Sequence, residues 1–385
     1  MQEEYHVLAR VSAPGKLLLL GEHAVVYGCP VVAAAVSDLR VRVQITRRHV
    51  NKGDAPTIEF VCKDFKSARE GAPLRRAFAI AALQQVVDQL EDDVHYVPVP
   101  GETVLSRIEN VLQAELPQDA KILRAPLFLC CALLRSSVIF SGNAQGLVVE
   151  IESCNLPIGA GLGSSGATSV ALAGAFGDVS GCPQKQELEF INKYAYSAEV
   201  ILHGSPSGAD NTVSCFGGTL VFQKHATPAF RDVKCELNKF RFLIVNTRVP
   251  RSTKEQVANV RKRYEADRDG VQKQFDTIQA IVEQFLARSE ANNLSEQVLG
   301  QLMEHNQTIL NDLGVGHARI DEVARLCKQY NGWTKLTGAG GGGCVISLLP
   351  QSLSEEDVAT LTNQLKAEGF DCFATFIGGP GFLRD

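Results

Sequence analysis

The stretch LPIGAGLGSSGATSVAL, residues 156–172, decides the fold. Just before it Leu147–Glu152 (LVVEIE) reads as a strand, and Val170, Leu172, Ala173 and Phe176 suit a small-residue helix packed closely on a sheet. A glycine-rich turn between strand and helix lets backbone N–H groups converge, and the helix start near Ser164 adds partial positive charge, a match for phosphate. Ser164 and Ser165 add hydroxyls there. The chain has no G-x-x-x-x-G-K-S/T loop, and Asp178 and Glu187 only loosely supply the acidic residue that a dinucleotide site needs about 20 positions on. On this segment alone, a tight corner that needs small residues for packing stays open beside a phosphate cradle.

Outward from this segment, helical spacing covers Gln186–Leu202 and stops at His203-Gly204. Gly217–Gln223 and Phe240–Asn246 read as strands, the first closing one lobe and the second opening another, with the boundary near Ala226–Lys234. Beyond it, Ser252–Arg288, Ser295–Gln307, Ile320–Tyr330 and Leu353–Gly369 read as helices, and Lys335–Leu349 as a glycine-rich turn into a strand. Towards the amino terminus, the apolar runs from Arg10 are cut by Pro14-Gly15 and Gly21, which predicts short buried strands joined by tight turns. Leu39–Thr46 alternates as a half-buried strand. Arg47–Pro73 reads as loop, and Leu74–Leu90 and Thr103–Leu116 as helices.

The 385 residues, 45% hydrophobic and 21% charged, suit a soluble protein of about two domains. With a net charge of −5 and no basic block, nucleic acid is not an expected partner. Eleven cysteines without a C-x-x-C pair point to reduced thiols and a cytoplasmic location. No signal peptide, membrane span or membrane partner is expected.

Three further segments carry chemistry. Glu199 sits in the last turn of a predicted helix, where the dipole disfavours a carboxylate, so a compensating cation such as Mg²⁺ fits it; Asp210 follows a glycine-containing loop. A solvated glutamate and a capping aspartate are the plainer readings. In SAPGKLLLLGEH, residues 12–23, Lys16 is a lone cation in an apolar strand, and Glu22 and His23 stand at its turn. Lys16 could equally snorkel at an edge, and His23 could be structural. The five glycines of Gly338–Gly343 suit close approach of backbone to a ligand or another segment, or a plain flexible hairpin.

APGKLLLLGEHAVVYG, PIGAGLGSSGATS and KLTGAGGGGC resemble, in order and spacing, the three motifs of the GHMP kinases. Within that superfamily, HGSPSGADN (203–211), NTRVPRST (246–253) and LGVGHARID (313–321) are most similar to the mevalonate kinases of animal type. The resemblance implies an α+β fold of two domains. Residues 1–228 would form an N-terminal domain of the ribosomal protein S5 domain 2-like type, and 229–385 a ferredoxin-like C-terminal domain, with the active site in the cleft between them.

It also implies that Pro157, Gly159, Ala160, Gly161, Leu162, Gly163, Ser164 and Ser165 bind ATP, that Ser165 and Glu199 hold Mg²⁺, and that Asp210 is the base with Lys16 beside it. Glu22, His23 and Thr253, with Lys16 and Asp210, would line the mevalonate pocket. A homodimer and feedback inhibition by prenyl diphosphates are implied in the same way. Gly166 and Ser205 depart from the family's S-S-A-A and H-G-N-P-S-G, and Gly166 is expected to loosen the helix start. A kinase for another small alcohol, such as phosphomevalonate kinase or galactokinase, shares the phosphate motifs. A non-catalytic sensor on the same scaffold would be expected to lack Lys16, Glu199 or Asp210.

Overall fold

The computed structural model describes residues 6–48, 54–90, 100–140 and 146–385, apart from 225, 228 and the side chain of 185. Two sheets organise them. The first has eight strands: β1 (His6–Leu20), β2 (Val31–Arg48), β3 (Thr57–Lys66), β4 (Pro73–Ala79), β5 (Gly146–Cys154), β6 (Thr219–Phe222), β7 (Phe230–Asp232) and, from the far end of the chain, β12 (Leu383–Arg384). Its order is β12-β1-β2-β5-β3-β4, with β6 and β7 continuing from the first half of β2. Only β3 and β5 run parallel.

Between the strands lie α1 (Ile80–Val87), α2 (Glu102–Leu112), α3 (Pro117–Leu134), α4 (Ser164–Ser180), α5 (Leu188–His203) and α6 (Ala209–Phe216). Helix α4 packs on β1 and β2 and is flanked by α3, α5 and α6. That enclosure explains its Gly, Ala and Ser content: Gly166, Ala167 and Ser169–Gly177 are all buried, and among them only Val170, Leu172 and Phe176 carry larger side chains.

The second sheet is antiparallel, in the order β11 (Asp371–Thr375), β8 (Arg241–Asn246), β10 (Cys344–Leu349), β9 (Trp333–Leu336). Helices α9 (Glu296–Asp312), α10 (Ala318–Lys328) and α11 (Glu355–Ala367) pack on it. Helices α7 (Thr253–Ala266) and α8 (Arg268–Glu290) lead from β8 towards the first sheet, where α8 touches β1. Each of α7, α8, α9 and α11 begins on a Ser or Asp whose side chain accepts a backbone N–H of the first turn. The chain changes sheet between β7 and β8; residue 228, the last of the expected first domain, lies outside the described residues.

The structure corrects three sequence readings. Pro14-Gly15 is not a turn. Strand β1 runs straight through it, and the register steps from Pro14 opposite Arg40 to Gly15 opposite Val36, so a bulge on β2 absorbs the ladder bond that proline cannot make. The expected loop from Arg47 contains β3, whose period is hidden because Ile58, Phe60, Val61 and Cys62 are buried on both faces. Its residues 49–53 lie outside the described set. The expected helix from Leu74 begins as the edge strand β4, paired with β3, and becomes helical only at Ile80. The last ten residues return to the first sheet: Ile377 bridges Val36, Arg384 bonds Asp178 of α4 at 2.9–3.0 Å, and β12 pairs with β1.

No described helix is long and apolar enough to cross a membrane.

Candidate active site

Strand β1, the loop 155–163 and the first turns of α4 and α6 converge on one end of the first sheet. Gly15 admits the loop, because a Cβ there would lie 2.7 Å from the Leu162 carbonyl oxygen, and the next amide, Lys16 N, donates to that same oxygen at 2.8 Å. Thus the Pro14-Gly15 break in the apolar pattern is where strand and loop are joined. Gly163, at φ 67, caps α4; a Cβ on it would press to 2.8 Å from Lys16 Cγ.

Lys16 is 8% exposed, and its Nζ lies 3.0 Å from Asp210 Oδ1. Asp210 stands in the first turn of α6, where the helix dipole favours a carboxylate. Gly166 has a packing role. It is the contact point of α4 with α6, since a Cβ would fall 2.9 Å from the backbone carbon and Cβ of Asp210. We expect Gly166→Val to push Asp210 away from Lys16, costing about 1–3 kcal/mol of stability and a larger share of kcat than of ATP affinity, checked by thermal unfolding beside steady-state kinetics. Unchanged kcat in this variant would show that the spacing of the two helices does not set the site.

Glu199, 2% exposed, lies on the α5 face towards α4. Its carboxylate accepts from Ser165 Oγ at 3.1 Å and from Ser169 Oγ at 3.0 Å, and His203 Nε2, one turn on, lies 3.5 Å away and 3.2 Å from Ser165 Oγ. Burial, and then the nearby Asp210 charge, push the Glu199 carboxyl up to about 7. A carboxylate and a hydroxyl side by side form a hard oxygen donor pair, and no Lys or Arg bridges Glu199 among the described residues, so Ser165 and Glu199 fit Mg²⁺.

Lys16, Ser165, His203 and Asp210 line a cavity of about 370 Å³ between the two sheets, together with Gly159, Gly161, Gly163 and Ser164 of the loop, His23, Val25 and Val26 after β1, and Arg251, Thr253, Val257, Gly338 and Ala339 from the second half of the chain, while Glu199 stands behind Ser165 and does not itself line it. A cavity of about 570 Å³ elsewhere, beside β7 and the end of α8, contains none of the expected residues. Pro157, Ala160 and Leu162 do not line the 370 Å³ cavity; the Ala160 and Leu162 carbonyls instead accept from Cys344 N at 3.1 Å and Lys16 N at 2.8 Å. Of the Gly338–Gly343 turn only Gly338 and Ala339 reach it, while Gly341 N and Gly343 N bond the Val315 and Val249 carbonyls, so the turn serves close packing of backbone.

Glu22 also departs from expectation. It is wholly buried beside Lys335 and does not line the cavity. His23 does line it, its Nε2 2.9 Å from the Ala339 carbonyl oxygen, and burial lowers the affinity of its ring for a proton.

Arg251 escapes a reading by residue type. It lies in the segment before α7, within the NTRVPRST stretch, whose resemblance assigns this arginine no role. Gly161, Gly338 and Gly343 all leave room for its guanidinium, burial lowers its pKa, its Nη1 donates to Thr253 Oγ1 at 3.2 Å, and its Nε has no hydrogen-bond partner among the described residues. A guanidinium in the wall of a cavity with one buried N–H unpaired suits a phosphate oxygen. His203 was legible only as a helix-end signal.

Matches to known proteins agree with this geometry. Residues 127–218 match the GHMP kinases N terminal domain and residues 287–370 the GHMP kinases C terminal domain. The human mevalonate kinase is 35% identical over 96% of this chain and 93% of its own length, and that of Mus musculus is 35% identical with the same coverage. The crystal structure of the Methanococcus jannaschii mevalonate kinase superposes with a TM-score of 0.68 over 98% of this chain and all of its own, at 23% identity. With a third of its residues shared along nearly the whole length of the animal enzymes, and their superfamily's domain pair, the chain belongs to the mevalonate kinase family of the GHMP kinases.

Proposed function

We propose that the protein transfers the γ-phosphoryl group of ATP to the 5-hydroxyl of (R)-mevalonate, giving 5-phosphomevalonate and ADP for isoprenoid and sterol precursor synthesis. The observation that carries this reading is the 3.0 Å pairing of Lys16 with Asp210 in a cavity walled by a glycine loop and a helix start. Phosphoryl transfer needs in-line placement and charge stabilisation more than covalent help. The N–H groups around Gly159–Ser165 and the Arg251 guanidinium would bind phosphate oxygens. Asp210 accepts the proton of the attacking hydroxyl, and Lys16 holds that carboxylate in place while adding positive charge where the transferred group becomes more negative. His23 and Thr253 line the acceptor end.

Mg²⁺, held by Ser165 and Glu199, would neutralise charge on the β- and γ-phosphates. Glu199→Gln should therefore raise the Mg²⁺ concentration needed for half-maximal rate, with partial rescue by excess Mg²⁺; unchanged dependence would count against this role. The same variant has a readout without ligand. A carboxyl whose pKa rises on folding contributes stability that is fully present below its unfolded value near 4.5 and is lost as pH rises through about 7. Between pH 5 and pH 8 the ligand-free wild type should lose about 1–3 kcal/mol relative to Glu199→Gln.

The division into domains at 228/229, a cytoplasmic location, a homodimer and inhibition by prenyl diphosphates complete the proposal. The eleven free thiols support the location, and the two family segments, one on each side of residue 228, support the division. Product identity tests the reaction. Phosphorus coupled to the C5 methylene protons of mevalonate is expected, and phosphate on the C3 oxygen, or released only to water, would refute it.

A further inference from the structure

Lys335 of β9 and Glu22, at the turn after β1, are both 0% exposed and form an ion pair between the two halves of the chain. The second Glu22 oxygen accepts from Asn306 Nδ2 of α9 at 3.3 Å, and Asn306 Oδ1 accepts from Gly21 N at 3.3 Å. Lys335 Nζ also donates to the Leu336 carbonyl at 2.6 Å, and Thr337 Oγ1 bonds both N and O of Leu18 at 2.9 and 3.0 Å. This knot of buried polar groups grips the end of β1 from the second sheet.

Burying two full charges costs about as much as their attraction returns, so stability alone does not explain the pair; its specific effect is to fix register. What it fixes is next in sequence. His23 has φ 62 and ψ −46, and Ala24 N donates to the Glu22 carbonyl at 2.7 Å, a γ-turn of the strained hand that persists only where its surroundings impose it. The imidazole so placed lines the acceptor end of the cavity and faces Ala339, four residues after Lys335.

We infer that Lys335 is a positioning residue: through Glu22 it holds the strained His23 turn, and with it the acceptor end of the cavity, in register with the second sheet. The inference rests on the reading of that cavity as the site for mevalonate and ATP. The test compares the wild type with Lys335→Met, with the double variant Glu22→Gln/Lys335→Met and with Asn306→Ala. It measures thermal midpoints, KM for each substrate, and the ring nitrogen and proton signals of His23 in the ligand-free protein.

Lys335→Met strands a buried carboxylate and should lower the midpoint, whereas the double variant removes both charges and should regain it. If Lys335 positions His23, the double variant keeps a KM for mevalonate raised about tenfold with KM for ATP little changed, and its His23 signals stay displaced. Asn306→Ala should move the same two readouts in the same direction by less. Recovery of KM and of the His23 signals along with the midpoint would overturn the inference. If the double variant does not fold, unchanged KM and unchanged His23 signals in Asn306→Ala would overturn it. Should the wild type not turn over mevalonate, the functional reading fails, but the His23 signals, which need no substrate, still decide the positioning claim.

Discussion

Asp210→Asn should lower kcat by about 10²–10⁴-fold while leaving KM for ATP within a few-fold and the fold intact. The amide fills the same volume at the first turn of α6 and can still meet neighbouring groups, so the packing of Gly166 against this turn is retained. What it loses is the capacity to take the proton of the attacking hydroxyl and the negative charge that faces Lys16 Nζ at 3.0 Å. The measurement is kcat at saturating substrates beside a thermal midpoint. A kcat within a few-fold of wild type would mean that Asp210 only places Lys16 and that proton removal needs no protein base.

Lys16→Met should cost about 10²–10³-fold in kcat, the usual effect of removing one preorganised charge from a phosphoryl or oxyanion site. Methionine keeps an unbranched stem beside Gly163, and the backbone bond from residue 16 to Leu162 does not involve the side chain, so the loop should hold its place. The loss is therefore electrostatic. A second consequence follows for Glu199, whose carboxyl is raised by burial and by Asp210 and lowered by Lys16. Without the cation it should rise further, so the Mg²⁺ requirement of the variant should ease only at higher pH than in the wild type. A variant that loses rate but keeps the wild-type pH dependence of its Mg²⁺ requirement would separate Lys16 from Glu199.

Much of this site was legible because its chemistry depends on backbone geometry that few residues permit. The glycines of 159–163 and the serines that follow announce a turn into a helix, and the structure places that turn against Lys16 and Asp210. Glu199 was legible because a carboxylate at a helix end needs an explanation. What escaped is set by tertiary contact. Pro14-Gly15 has the composition of a turn, and only the bulge on β2 and the approach of Leu162 show why a strand carries it. Strands β3 and β4 hide because burial on both faces removes the alternation from one and an Arg-rich edge disguises the other. Glu22 and His23 are adjacent in sequence, yet the γ-turn sends one into a buried ion pair and the other into the cavity. Gly166 means little until α6 is seen resting on it.

The most direct measurement is ADP release by the purified wild type with (R)-mevalonate, phosphomevalonate, galactose and homoserine offered side by side with Mg·ATP. Saturable turnover with mevalonate and background rates with the other three are expected. Background release with mevalonate, from protein that is folded and binds ATP, would contradict the account, and turnover of another alcohol in the panel would move the acceptor assignment to that compound.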